Sequence, residues 1–327
     1  MTADDVPMLG ALKRRCFIDR AQRTEVLIAG SGRSGTTWLA ELVNHRRDCR
    51  VLFEPFFARE VPAAAAFHRR QYVRPGDDRP DLAGAARAIL GGEVRGPWID
   101  AQTTARFAYH RRIAKEIRGN LFLPWLRTVM PDMPIILVVR HPCAVIASQV
   151  RMGWKAHVRD LPEQDALLAD HLEPHRDLLA GLSDDDDDVI ARSALLWCLE
   201  TRVPLTMSSR DEIHVMFYEH LVREPEQELA RLGTLVDDSE LTTLAGDALS
   251  RPSALARPWS AVQRGDDPVE SWTSQVQPRE QRIVEQMLTR FGLDRVYPGP
   301  MPDPAAAWAL MQPSQTADAE QTNPTPP

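Results

Sequence analysis

Thirteen residues near the amino end, Val26-Leu27-Ile28-Ala29-Gly30-Ser31-Gly32-Arg33-Ser34-Gly35-Thr36-Thr37-Trp38, constrain what this chain can fold into. The apolar run reads as a buried strand, the glycine-rich stretch as a tight turn, and Thr36 onward as the first turn of a helix. Such a joint aims several backbone N–H groups and the positive end of a helix dipole at one point, which favours an anion such as phosphate. The helix continues with Trp38, Leu39, Leu42 and Val43 on one face, the stripe of a helix lying on a sheet.

The glycine spacing nearly matches a Walker A phosphate loop, with Gly30 and Gly35 as its two glycines. The lysine that follows the second glycine in that motif is Thr36 here, and the positive charge stands inside the loop as Arg33. A second apolar run, Ile135–Val139, reads as a buried parallel strand. It ends at Arg140, where a nucleoside triphosphatase usually has an acid to hold Mg²⁺. An arginine there attracts another phosphate and disfavours a metal ion. Pro142 then opens a helix from a favourable first position. Ser148, eight residues after Arg140, lies two turns along and could donate its hydroxyl to the same anion. The plainer alternative is that Arg140 neutralises a structural carboxylate and Ser148 is an exposed helical serine.

Val51-Leu52-Phe53 reads as a second strand ending at Glu54-Pro55, and Ile213–Phe217 as a further strand ending at Tyr218. Helices are expected over Asn120–Val129, from Pro162 to Gly181 with a break near Pro174, and over Val189–Met207, Pro225–Val236 and Arg279–Phe291. Residues 58–100, rich in Ala, Gly, Pro and Arg, read as loops and one or two covering helices. Alternating apolar strands and helices predict an α/β fold, a P-loop-type doubly wound, mostly parallel sheet flanked by helices. Ligands of such sheets bind beyond the carboxyl ends of the strands. Four ends are readable, at Gly30, Glu54, Arg140 and Tyr218, and three present an ionisable or aromatic group at once.

The expected organisation is a lead-in over 1–23, one domain over 24–311 and a disordered tail over 312–327, where Gln, Thr, Pro and Ala dominate. A net charge of −7 argues against nonspecific nucleic-acid binding. The four cysteines, Cys16, Cys49, Cys143 and Cys198, form no C-x-x-C pair, so free buried thiols are expected instead of a zinc site or disulfide framework. The five acids Asp184–Asp188 read as a solvated connection. No run of apolar residues suits a transmembrane helix, and the acidic amino terminus is unlike a signal peptide, so a cytoplasmic location is expected.

Gly30–Trp38 together with Arg140-His141-Pro142 and Ser148 resembles the sulfotransferases that use 3′-phosphoadenosine-5′-phosphosulfate (PAPS). The resemblance covers roughly residues 25–300. It implies that Arg33, Ser34, Gly35, Thr36 and Thr37 bind the 5′-phosphosulfate, and that Arg140 and Ser148 bind the 3′-phosphate. It also implies that Trp38 and Tyr218 flank adenine, and that Arg264-Gly265 with Trp272 closes over the nucleotide. The loop arginine and the Glu54-Pro55 pair are similar to the carbohydrate, tyrosyl-protein and bacterial branches. The cytosolic branch has a catalytic histidine two residues after a lysine; Lys115 matches that lysine, but Ile117 stands at the histidine position. Glu54 is therefore expected as the general base, with Glu116 and His110 as weaker alternatives, while Arg33 and Lys115 stabilise the leaving phosphate. The plainer reading of Glu54 is an N-cap or loop carboxylate paired with a neighbouring arginine. His141 reads as a residue of the strand–helix turn and not as a catalyst.

The expected activity is transfer of a sulfuryl group from PAPS to an acceptor hydroxyl of a small molecule, glycan or lipid, with no metal. A P-loop nucleotide or small-molecule kinase is the alternative enzyme, disfavoured by Thr36 and Arg140. A non-catalytic nucleotide-binding protein would keep the phosphate residues without needing Glu54 or Lys115. Residues 58–110 and 152–188, with Phe67, Tyr72, Trp98, Phe107, Tyr109 and Trp154, are expected to shape the acceptor pocket.

Overall fold

The computed structural model describes residues 17–104, 106–182, 188–248 and 253–312. Its centre is a parallel sheet of five strands: β2 (Leu27–Ala29), β3 (Cys49–Phe53), β5 (Arg111–Glu116), β6 (Ile135–Val139) and β7 (His214–Phe217). Their order is β3-β5-β2-β6-β7, which puts the glycine-rich loop after β2 at the middle of the sheet. A small parallel pair, β1 (Ile18–Asp19) with β4 (Ala108–Tyr109), lies beside the start of β5.

Both faces of the sheet are buried, as the unbroken apolar runs require. Successive side chains point to opposite faces. Val26, Ile28, Val51, Ile113, Ile136, Val138 and Met216 pack on one side against α1 (Thr36–Val43) and, later in the chain, against Leu229, Leu232 and Val236 of the helix Pro225–Val236. Leu27, Ala29, Leu52, Ala114, Ile135, Leu137 and Val139 pack on the other. That side is covered by α2 (Pro80–Leu90), α3 (Leu123–Val129), α4 (Pro142–Arg151), α5 (Val189–Thr206) and the helix Pro278–Arg290. The sheet is thus doubly wound.

One central strand was not read from the sequence. In β5 the series Arg111, Arg112, Lys115 and Glu116 breaks the apolar pattern, yet its residues from Arg112 to Glu116 are buried. The charges have partners. Arg112 donates to Asp19 Oδ2 at 2.8 Å and to Thr24 Oγ1 at 3.0 Å, and Arg111 reaches Glu25 and Asp48. Arg50 of β3 joins the same knot through Asp19 at 2.8 Å and Asp100 at 2.9 Å.

The stretch from Pro162 to Gly181 breaks as expected, with a 3₁₀ turn over Glu173–His175 around Pro174. Cys49, Cys143 and Cys198 are buried and unpaired. Cys16, most of the lead-in, Asp184–Asp187 and the tail beyond Gln312 lie outside the described residues. No helix among the described residues is long and apolar enough to cross a membrane.

Candidate active site

Strand register brings the site together. Phe53 is level with Lys115, and Ala29 is level with Glu116 on one side and Leu137 on the other. Val139 is level with Phe217. The residues that follow, Glu54 after β3, Gly30 after β2, Arg140 after β6 and Tyr218 after β7, therefore emerge along one edge.

On the β6–β7 side that edge is cationic. Arg33 Nε donates to Ser148 Oγ at 3.0 Å, so the loop arginine and the α4 serine meet directly. Arg140 donates from Nη1 to the Arg33 carbonyl at 3.3 Å and from Nη2 to the Pro268 carbonyl at 2.9 Å. Its guanidinium lies 4.1 Å above the Tyr218 ring. Burial lowers the pKa of Arg33, and the neighbouring charges of Arg140 and Arg257 lower it further. Neither Arg33 nor Arg140 bonds a carboxylate among the described residues. The Arg140 Nε and Ser34 Oγ atoms are buried without a hydrogen-bond partner among the described residues. α1 follows Gly35 at its N-cap, with no side-chain cap and no acid in its first turn. Crowded cations, orphaned donors and an uncapped helix start together fit an anionic ligand.

The loop backbone is built for close approach. Gly35 has φ 103°, and a Cβ there would stand 2.7 Å from the Tyr218 ring. Arg33 and Glu54 also have positive φ, 78° and 44°, a strain that concentrates at functional sites.

On the β3–β5 side lies a buried charge cluster. Lys115 Nζ is 2.8 Å from Glu54 Oε1, and Arg118 bonds Glu54 Oε2. Burial alone would raise the Glu54 pKa, but Lys115 and Arg118 outweigh it and hold the carboxyl below its usual range. Burial lowers the pKa of Lys115 against the pull of Glu54. Glu116 ends β5 beside the loop, where a metal-binding acid could stand. Its carboxylate is instead taken up by the backbone N–H groups of Phe56, Ile117 and Arg118 at 2.7–2.8 Å. His110 is exposed and precedes β5, at the opposite end of the strand from Lys115. It stands far from this edge.

A family model described as the Sulfotransferase family matches residues 25–237. This chain belongs to the sulfotransferase family. No curated protein sequence matches it. Among solved structures, the sulfotransferase domain of the Synechococcus PCC 7002 olefin synthase is 18% identical, with a TM-score of 0.42 over 85% of this chain and 96% of that one. Mouse sulfotransferase SULT7A1 complexed with PAP is 13% identical, with a TM-score of 0.42 over 96% and 95%. A sulfotransferase from Alicyclobacillus acidocaldarius is 17% identical, with a TM-score of 0.40 over 90% and 98%.

The structure of this sulfotransferase also places the other residues singled out in the sequence. His141 is buried and stacks on Trp272 at 4.1 Å, its Nδ1 accepts from the Cys143 backbone at 3.2 Å, and burial with Arg140 nearby takes its pKa down to about 3. It is a neutral helix cap, and Trp272 is a core residue. Arg264 is the last residue of a short helix (Ala261–Arg264) capped by Gly265 with φ 74°, and it pairs with Asp266 at 2.6 Å on the surface. Trp38 and Tyr218 touch edge to face at 5.6 Å, so no slot separates them. Of the aromatic residues expected around an acceptor, Trp154 lies against Gly32 of the loop, whereas Phe67 packs in the core against Phe56 and Phe122. Phe107 and Tyr109 belong to the β1–β4 corner. Sequence reasoning missed Arg118, Arg70, Arg257 and Glu200, because no local motif marks a side chain that reaches the site from a distant segment.

Proposed function

We propose that this sulfotransferase moves the sulfuryl group of PAPS to an acceptor hydroxyl on a small molecule, glycan or lipid. The observation that carries the reading is the meeting of Arg33, Arg140 and Ser148 over an uncapped helix start with orphaned donors. PAPS presents the two phosphate-type groups that such an edge would hold. In this reading the loop N–H groups, Ser34, Gly35, Thr36, Thr37 and Arg33 receive the 5′-phosphosulfate. Arg140, with Ser148, receives the 3′-phosphate. Trp38 offers a half-buried face for adenine, and Tyr218 supports the Arg140 guanidinium from below. Arg264 and Gly265 form a surface turn that would border the nucleotide.

The acceptor oxygen attacks sulfur in line, and the bond from sulfur to the bridging oxygen of the 5′-phosphate breaks. The acceptor proton passes to the Glu54 carboxylate, which its two cations keep ionised. Charge growing on the bridging oxygen is met by Arg33, Lys115 and the loop N–H groups. The chemistry asks for no metal, since cations of the chain face the developing charge.

A kinase reading needs an acid free to hold Mg²⁺. Arg140 ends one neighbour of β2, and the acid ending the other, Glu116, is taken up by backbone N–H groups. The test is transfer of label from sulfur-labelled PAPS to a panel of phenols, saccharides and lipid headgroups. Labelled product from one class is expected. Binding of PAPS without labelling of any class would favour the non-catalytic reading, and failure to bind PAPS would remove the donor assignment.

A further inference from the structure

The reaction scheme leaves one buried carboxylate without a role. Glu200 on α5 is 2% exposed. Its Oε2 accepts from Ser31 Oγ at 2.6 Å, and its Oε1 is 2.8 Å from Arg70 Nε. Ser31 stands between Gly30 and Gly32 inside the phosphate loop, and its carbonyl accepts from the Ser34 N–H at 3.0 Å to close the turn. Three residues earlier on α5, Trp197 Nε1 donates to the Arg140 carbonyl at 3.2 Å. Residues three apart share a helix face. One face of α5 thus holds the loop and the backbone of the second anion-binding arginine. Arg70, with φ 54°, sends Nη1 to within 3.4 Å of the Ile117 carbonyl, next to Glu116 and Arg118. Glu200 therefore links the loop to the segment beside the Glu54–Lys115 pair.

An ionisable group in such a place is costly to bury, and packing alone needs none. We propose that Glu200 is a positioning residue for the phosphate loop. Through Ser31 it fixes the loop N–H groups in the geometry that receives a 5′-phosphate, and through Arg70 it ties that geometry to the acceptor side. The proposal rests on the nucleotide assignment above.

The experiment measures dissociation constants of adenosine 3′,5′-bisphosphate and adenosine 3′-monophosphate for the wild type, Ser31→Ala, Glu200→Gln and the double variant. A glutamine keeps the shape but not the charge, so the ion pair with Arg70 is lost and the hold on Ser31 weakens. Each single variant is expected to bind the bisphosphate about tenfold more weakly. The 3′-monophosphate, which does not use the loop, should bind nearly as before. The double variant should lose less than the sum of the two single losses, since Ser31 acts through Glu200. Three results would overturn the proposal while leaving the nucleotide assignment intact: undiminished bisphosphate binding in both single variants, equal loss for both nucleotides, or fully additive losses. A wild type that does not bind the bisphosphate overturns the assignment and the proposal together.

Discussion

Replacing Arg140 by alanine removes a guanidinium whose Nε has no partner among the described residues, and it strips the cover from Tyr218. The loss of a charge-assisted contact to the 3′-phosphate is expected to cost roughly 1.5–3 kcal/mol in bisphosphate binding, while the affinity for AMP hardly changes. Calorimetry on the variant checks both affinities. Glu54→Gln keeps shape and hydrogen bonding but cannot take a proton, so turnover should fall on the order of 10²–10⁴-fold with nucleotide affinity nearly unchanged. The base must be ionised to act, and Lys115 and Arg118 hold the Glu54 pKa below its ordinary value. The acid limb of the kcat profile should therefore lie below about pH 4.3, the ordinary glutamate value. A break near neutral pH would place the base on another group. Glu54 and Arg140 could be picked out in advance because each follows an apolar strand directly. Arg118 and Glu200 could not, because what recruits them is tertiary contact with Glu54 and Ser31.

At the scale of elements, the β2–loop–α1 joint was legible because apolar run, glycine spacing and helix stripe all agree. β5 was not, because four of its six residues are charged and its burial depends on Asp19, Thr24 and Glu25 from elsewhere in the chain. Asp19→Asn leaves Arg112 and one arm of Arg50 without their carboxylate, and it should cost roughly 3–5 kcal/mol of stability. The pH dependence follows from the sign of the shift. Burial would raise the Asp19 pKa, but the bonds to Arg50 and Arg112 bring it below 3.8. Its contribution is then complete above the unfolded value of about 3.9 and is lost as pH falls through the lower folded value. The Tm gap between wild type and Asp19→Asn should stay constant above about pH 5 and close in stronger acid. A gap that persists at low pH would show that packing, not charge, makes the difference.

At the scale of the whole molecule, the order β3-β5-β2-β6-β7 sets an acid–base cluster on one side of the loop and an arginine cluster on the other. The doubly wound class was readable from alternating runs, but the strand order was not, since one of its strands was hidden. The division of labour across that edge predicts that chelation leaves activity unchanged, because the developing charge faces cations of the chain. Activity lost to EDTA and restored by Mg²⁺ would return the kinase reading. The most direct test of the account is a calorimetric comparison of adenosine 3′,5′-bisphosphate with AMP on the wild-type protein. The arginine cluster predicts much tighter binding of the bisphosphate, by the same margin that Arg140→Ala removes. Equal affinity for the two nucleotides would contradict it.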